Sequence, residues 1–309
     1  MTPRTFIALL AVALAAAILA ACGSGDGNAA EPADTTIVAT TTQVADLARA
    51  VAGDRARVRQ ILQPNADPHE YEPRPSDVNS VGNAAVIVRS GGDLDEWLDD
   101  VLRNAGSSAA TVTLIDALTT RRGDGEIDSH WWQNPRNAIL ATEAIRDALT
   151  KADADGRETY TRNAGAYVAK LRELDDAIDA CMRRIPAARR KLVTDHDALG
   201  YYADRYDIDV IGTVIPALST QAQASAGEVA RLVRTIRSAG VTTIFPESSA
   251  NPKLTRAIAR DAGATVGPSL YADTLGPQGS PGATYIGSLR FNTQALAAGF
   301  TGSDVSCPL

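Results

Sequence analysis

Only three histidines occur in the 309 residues of the chain, and acidic residues surround each of them. They are His69, His130 and His196. None lies in a segment with the apolar periodicity of an amphipathic helix; each follows a segment that resembles a strand or a loop. Neutral imidazole is the commonest side-chain ligand of transition metals. Three imidazoles from distant parts of the chain therefore point to one metal site that folding closes.

Two series of alternating strands and helices surround these histidines and predict an α/β fold with parallel sheets. The first series has predicted strands at 36–41, 58–62, 85–89 and 111–115, with helices at 43–52, 76–83 and 94–104. The second has strands at 191–194, 209–214, 241–245 and 264–268, with helices at 198–206, 225–239, 252–262 and 285–300. We predict two doubly wound α/β domains, at 36–134 and 189–302, followed by a tail at 303–309.

A purely helical segment, residues 135–188, separates the two series. One helix is predicted over 135–150. From Asp155 to Arg184 the chain lacks proline, and its apolar residues recur at helical spacing. A helix of roughly 30 residues extends about 45 Å. We expect it to act as a rigid strut between the two domains.

The ends of the predicted strands indicate where the polar residues meet. His69 and His130 follow strands of the first domain, whereas His196, Glu247 and Asp273 follow strands of the second. Open parallel sheets bind ligands beyond the carboxyl ends of their strands. The five side chains should therefore meet in the cleft between the domains. Asp273 could instead cap a turn or helix, and Glu247 is favoured as the partner of a ligand rather than as a ligand.

Residues 1–21 have the build of a secretory signal peptide, with Arg4 ahead of an apolar run rich in alanine and leucine. The run ends in Leu-Ala-Ala-Cys, which resembles the bacterial lipobox and makes Cys22 the expected lipidation site. Residues 22–35 lack an apolar period and predict a flexible tether. We therefore expect a protein anchored by lipid at the extracytoplasmic face of a bacterial cell membrane.

Composition narrows the range of partners. The net charge of −7 argues against nucleic acid, and nothing after the N-terminal run is apolar enough to cross a bilayer. Cys181 and Cys307 would lie in a compartment that permits disulfides. Either the two cysteines form a disulfide that joins the tail to a helix, or both remain free thiols. The sequence leaves both possibilities open, since pairing cannot be read from it. We expect a monomer.

Four stretches of the chain resemble the metal-binding motifs of the zinc- and manganese-specific solute-binding proteins of ABC importers, known as cluster A-I. They are Pro68–Pro73, Asp128–Trp131, Thr194–Tyr202 and Leu270–Pro277. The resemblance covers nearly the whole chain after the tether. It implies one divalent cation bound by His69, His130, His196 and Asp273. It also implies a binding protein that delivers the ion to a membrane permease, and not an enzyme.

The chain departs from the family pattern in two places. Its second motif reads Asp-Ser-His-Trp-Trp-Gln-Asn-Pro, where the family usually has Asp-Pro-His-Val-Trp. The loop at 121–128 is short and lacks the histidine-rich run of many zinc-binding members. The first departure keeps the histidine. The second predicts that the protein has no auxiliary loop for collecting metal.

The ligand set favours zinc, since zinc sites are typically four-coordinate with nitrogen and oxygen ligands. Manganese prefers more oxygen ligands, although the segment Tyr271–Gly276 resembles members that include manganese binders. Zinc is therefore the expected ion and manganese the alternative.

Two further classes of protein remain open. One is a zinc hydrolase with Glu247 as general base, against which four protein ligands and a lipid anchor argue. The other is a haem or siderophore binder, which needs a larger pocket.

Overall fold

The computed structural model describes residues 35–123 and 125–308. Most strands in this part of the chain belong to parallel sheets. The signal peptide, Cys22 and nearly all of the tether lie outside the described residues. The strands are β1 (Thr36–Ala39), β2 (Arg57–Gln60), β3 (Val86–Arg89), β4 (Ala110–Thr113), β5 (Arg122–Gly123), β6 (Glu126–Ile127), β7 (Lys191–Thr194), β8 (Asp209–Thr213), β9 (Thr243–Ile244) and β10 (Thr265–Val266). The helices are α1 (Thr42–Ala52), α2 (Pro75–Gly82), α3 (Leu98–Ala105), α4 (Pro135–Ala152), α5 (Arg157–Arg183), α6 (Gly200–Tyr206), α7 (Ala226–Ala239), α8 (Lys253–Ala262) and α9 (Tyr285–Thr301).

The N-terminal half, residues 35–134, contains a parallel sheet in the order β2-β1-β3-β4. Its central strands are continuous apolar runs without polar alternation: Ile37, Val38 and Ala39 on β1 are fully buried. Such runs are typical of strands covered by helices on both faces. The antiparallel hairpin β5–β6 follows this sheet and leads directly into His130.

The C-terminal half, residues 189–308, repeats this strand order. β7 pairs with β8 and β9 pairs with β10, all in parallel. A parallel bridge between Thr194 and Phe245 joins the two pairs, so the strands lie in the order β8-β7-β9-β10. The predicted α/β class with parallel sheets is confirmed.

The long helix α5 has 27 residues and extends about 40 Å at the usual rise per residue. It contacts α1 and α4 on the N-terminal side and α6 and α9 on the C-terminal side. Its buried face includes Tyr160, Leu171, Leu174 and Ile178. Since it packs against both halves, it forms part of the core as well as a connection. The described residues belong to one compact unit, and the boundaries predicted between domains stay a prediction.

One predicted helix begins later than expected. The pattern predicts residues 94–104, but α3 begins at Leu98 and a 3₁₀ turn occupies Asp93–Asp95. The carboxylate of Asp95 accepts hydrogen bonds from the backbone N–H groups of Ser90 and Gly91. This local competition for backbone donors keeps the segment out of the helix.

The C-terminal tail is fastened to the end of α5. The structure joins Cys181 and Cys307, whose Cα atoms lie 5.5 Å apart, within the range that a disulfide requires. Arg184 Nη1 also donates to the carbonyl of Ser306 at 2.9 Å. Over the described ranges, none of the helices has the length and apolar character needed to cross a bilayer.

Replacing Cys181 and Cys307 together by serine should lower the free energy of unfolding by about 2–5 kcal/mol, the usual cost of losing a native disulfide. The reason is that the bridge joins residues 126 positions apart and so restricts the unfolded chain. Guanidinium unfolding of metal-free protein measures the difference. Wild-type protein unfolded in reductant is the control and should match the variant. A variant as stable as oxidised wild type would show that the bridge does not form.

Candidate metal centre

The four expected ligands lie at the carboxyl ends of strands or in the segments that follow them. His69 lies in the loop between β2 and α2, and His130 lies between the β5–β6 hairpin and α4. His196 follows β7 by two residues, and Asp273 follows β10. The structure therefore brings together residues separated by up to 204 positions (Asp273 minus His69), at the junction of the two halves.

One potential ligand atom from each of these residues lies within 4.8 Å of the others. The Nε2 atom of His130 is 3.3 Å from Nε2 of His69 and 3.4 Å from Nε2 of His196. Because the three imidazoles direct their Nε2 atoms at one point, the space between them fits an ion. It is too small for haem or a siderophore, which removes that alternative for this cluster.

The carboxylate of Asp273 completes the cluster. Its Oδ2 atom lies 3.3 Å from His196 Nε2 and 3.8 Å from His69 Nε2, and its Oδ1 atom lies 3.4 Å from His130 Nε2. Asp273 is 1 % exposed, and neither oxygen has a hydrogen-bond partner among the described residues. An unpaired buried carboxylate is costly. A bound cation would satisfy it, so the donor set fits a divalent metal.

A carboxylate orients the ring of His130 from behind. Asp128 Oδ1 lies 2.7 Å from Nδ1 of His130 and also accepts the backbone N–H of that residue at 2.9 Å. When His130 is neutral, this contact favours its one ring proton on Nδ1 and leaves Nε2 free for a metal. Asp128 is fully buried and accepts a hydrogen bond from Arg121 Nη1 at 2.5 Å. The pattern Asp-x-His was the signal in the sequence, but no role was predicted for Asp128.

Glu247 acts on His196 in the same way. Its Oε1 atom accepts the backbone N–H of His196 at 3.0 Å and lies 2.9 Å from the ring Nδ1. Glu247 is 1 % exposed, and its own N–H donates to Asp195 Oδ2 at 2.8 Å. The structure therefore places Glu247 behind His196 and outside the four-residue cluster.

His69 is held differently, because the carboxylate on the Nδ1 side of its ring, Asp93 Oδ2, lies 4.0 Å from Nδ1, beyond hydrogen-bond distance. Contacts across the junction fix its main chain instead. Gln221 donates to the carbonyl of His69. Thr220 donates to Asp67 Oδ2 at 2.8 Å, and the other oxygen of Asp67 accepts the N–H of His69. The position of His69 therefore depends on the loop between β8 and α7.

Two side chains that the sequence did not mark as functional hold the segment of Asp273. Trp132 Nε1 and Gln133 Nε2 both donate to the carbonyl of Ala272, at 2.8 and 2.7 Å. Two side chains of the N-terminal half thus hold Ala272, and through it they position Asp273 of the C-terminal half. Gln133 is fully buried, a position where glutamine needs such a partner.

Burial and the neighbouring charges shift the pKa values of the four side chains in different directions. Burial lowers the pKa of His69 to about 4. Burial also acts to lower the pKa of His130, but Asp128 and Asp273 outweigh it and raise that pKa well above its usual value. The pKa of His196 rises to about 9 because Asp273 and Glu247 together outweigh burial. Burial favours a raised pKa for Asp273, yet the three histidines outweigh it and lower that pKa.

The comparisons with known proteins agree with this geometry. The family model described as zinc-uptake complex component A, periplasmic, matches residues 37–299. The manganese-binding lipoprotein MntA of Halalkalibacterium halodurans is 31 % identical over 290 residues, which cover 93 % of this chain and 95 % of the relative. The iron-binding protein YfeA of Yersinia pestis is 32 % identical over 277 residues, which cover 87 % and 88 %.

A solved structure with a similar fold is that of the periplasmic zinc-binding protein TroA from Treponema pallidum. The TM-score is 0.81 at 26 % identity, and the match covers 86 % of this chain and 99 % of that one. The names of the three proteins give three different metals. Similarity alone therefore does not select the ion.

Metal binding at pH 7 should release roughly two protons, one from each histidine whose pKa is raised, because metal binds only neutral imidazole. The pKa of His196 is about 9 and that of His130 lies well above its usual value, so we expect each ring to carry a proton at pH 7 that the metal must displace. Lowering the pH from about 8 to 6 should weaken binding by up to about a hundredfold per unit, tenfold for each proton displaced. Calorimetry in buffers of different ionisation enthalpy measures the release. An affinity that stays flat over this interval would contradict the ligand assignment.

Proposed function

We propose a function from one premise: the chain belongs to the family of periplasmic zinc-uptake components, the metal-binding solute-binding proteins of ABC importers. The protein binds a divalent transition metal outside the cytoplasm and delivers it to the permease of such an importer. The observation that carries this proposal is the buried carboxylate of Asp273, which faces three imidazoles and has no hydrogen-bond partner among the described residues. The family consists of binding proteins, so the hydrolase alternative is wrong.

Four residues, His69, His130, His196 and Asp273, are the proposed ligands. The orientation of the imidazoles supports this assignment, since Asp128 and Glu247 occupy the Nδ1 sides of His130 and His196. Carboxylates that accept from the second ring nitrogen are the usual companions of metal-bound histidines. Glu247 is proposed as such a companion and not as a ligand.

Zinc is the proposed ion. Three nitrogen donors and one carboxylate match the ligands that zinc selects, whereas manganese favours oxygen donors and higher coordination. Zinc also binds more tightly than manganese to most sites of this kind. The manganese alternative is favoured by one relative, whose name describes it as manganese-binding.

Membrane anchoring through a lipid on Cys22 is proposed for the mature protein, at the extracytoplasmic face and as a monomer. The lipobox-like sequence at 19–22 supports the anchor, as do relatives whose names describe lipoproteins. The tether at 22–35 would let the metal-binding unit reach the permease.

Zinc should bind at one ion per chain and displace manganese at equal concentration, because imidazole donors dominate the site. Elemental analysis of protein purified without chelator, followed by competition between the two ions, measures this. His130→Ala should weaken zinc binding by more than about a hundredfold, beyond the loss typical of residues that only orient a ligand. Tighter binding of manganese would select the alternative, and a protein that binds neither ion would contradict the proposed function.

Replacing Cys22 by serine should move the protein from the membrane fraction to the soluble extracytoplasmic fraction, because no acyl chains can then be attached. Fractionation and immunoblotting of the native host measure the distribution. Cys181→Ser is the matched control and should stay with the membrane. Membrane retention of the Cys22 variant would show that another element anchors the protein.

A further inference from the structure

The guanidinium of Arg121 lies between two carboxylates that belong to different halves of the fold. Its Nη1 donates to Asp128 Oδ2 at 2.5 Å, and its Nε donates to Asp204 Oδ2 at 2.9 Å. Asp128 is the residue that orients His130, whereas Asp204 lies on α6 of the C-terminal half. Arg121 therefore links Asp128, the residue behind the proposed ligand His130, to a helix of the opposite half.

The two contacts differ in strength because they differ in exposure. The side chain of Asp128 is fully buried, whereas that of Asp204 is 66 % exposed. An exposed ion pair contributes little, while removing one partner of a buried pair leaves an uncompensated charge. The dominant role of Arg121 is therefore to compensate and fix the carboxylate of Asp128.

Tyr201 fixes both ends of the segment that runs from Arg121 to Asp128. Its hydroxyl oxygen accepts the backbone N–H of Arg121 at 3.0 Å, and its O–H donates to the carbonyl of Asp128 at 2.8 Å. The guanidinium carbon lies 5.8 Å from the centre of the Tyr201 ring, within cation–π distance. Tyr201 of α6 thus makes three contacts with this short segment.

Gly200, the first residue of α6, makes room for the guanidinium. A Cβ atom at this position would lie 1.7 Å from Arg121 Nη1, and the three nearest atoms all belong to Arg121. The backbone of Gly200 does not have a positive φ. The glycine is therefore needed here because it leaves space for the guanidinium of Arg121, and not because the backbone adopts a conformation that favours glycine.

We propose that Arg121 is a positioning residue for metal binding: it holds Asp128, and through Asp128 the imidazole of His130, in the orientation that the metal requires. Because the guanidinium rests against α6, this orientation depends on the C-terminal half being in place. The inference rests on the proposed function and adds to it a residue that does not touch the ion.

The test compares zinc affinity, measured by chelator competition, across matched variants. Arg121→Met should weaken zinc binding about tenfold, the low end for groups that act through a ligand. Gly200→Ala should weaken it similarly, because the added methyl displaces the guanidinium. Asp204→Asn removes the other partner of Arg121 and should change the affinity less than about twofold.

A double variant separates positioning from an effect on folding. Alanine is a better helix former than glycine by about 1 kcal/mol, so Gly200→Ala should not weaken the fold once Arg121 is gone. In an Arg121→Met background, Gly200→Ala should therefore cost no further affinity. Additive losses would overturn the proposal, as would Arg121→Met binding zinc within twofold of wild type. Should Arg121→Met fail to fold, Gly200→Ala compared with Asp204→Asn carries the same test.

Cobalt(II) provides a readout that a purely structural role would not change. At saturating cobalt, the visible absorption of the wild-type complex reports the ligand geometry, and Arg121→Met should shift it because the ring of His130 turns. An unchanged spectrum at saturation would overturn the proposal. Wild-type protein that binds neither zinc nor cobalt would instead contradict the proposed function itself.

Discussion

A buried carboxylate that faces three imidazoles is the constraint on which this structure depends. Asp273 is 1 % exposed, and one nitrogen from each imidazole lies within 3.8 Å of its carboxylate. In the metal-free protein, Asp273 acts to raise the pKa of both His130 and His196, which favours protons on these rings that offset its charge. A divalent ion would compensate it more strongly and would displace those protons. Protons and metal would therefore compete for the same imidazole nitrogens beside this carboxylate, which would couple metal capture to pH.

Several neighbouring side chains hold Asp273, and the histidines around its carboxylate, in place. Asp128 and Glu247 turn their histidines, whereas the carbonyl next to Asp273 is held by Trp132 and Gln133 from the N-terminal half. Contacts between the halves thus set the positions of side chains on both sides of the junction. An ion bound at such a site would be held strongly only while the two halves are together.

The sequence predicts the placement of His69 and His196 well, because the rule for parallel sheets is local: a residue after a strand lies at its carboxyl edge. His130 instead follows the antiparallel β5–β6 hairpin, which the sequence does not predict. The sequence predicts the long helix for the same local reason, since α5 shows its periodicity within its own residues. It cannot predict which side chains orient the cluster. Arg121 meets Tyr201 across 80 positions and Gln133 meets Ala272 across 139, and no local pattern records such contacts. The late start of α3 was missed because one buried aspartate, Asp95, outweighs helix propensity.

The most direct test of the account is X-ray absorption at the zinc edge, read with anomalous diffraction from the same metal-loaded protein. We expect one zinc ion per chain, with three imidazole nitrogens at about 2.0–2.1 Å and carboxylate oxygen at about 2.0–2.2 Å from the metal. The anomalous peak should lie between His69, His130, His196 and Asp273. A peak elsewhere, or a shell with fewer than three imidazoles, would contradict the central claim that this cluster is the metal site.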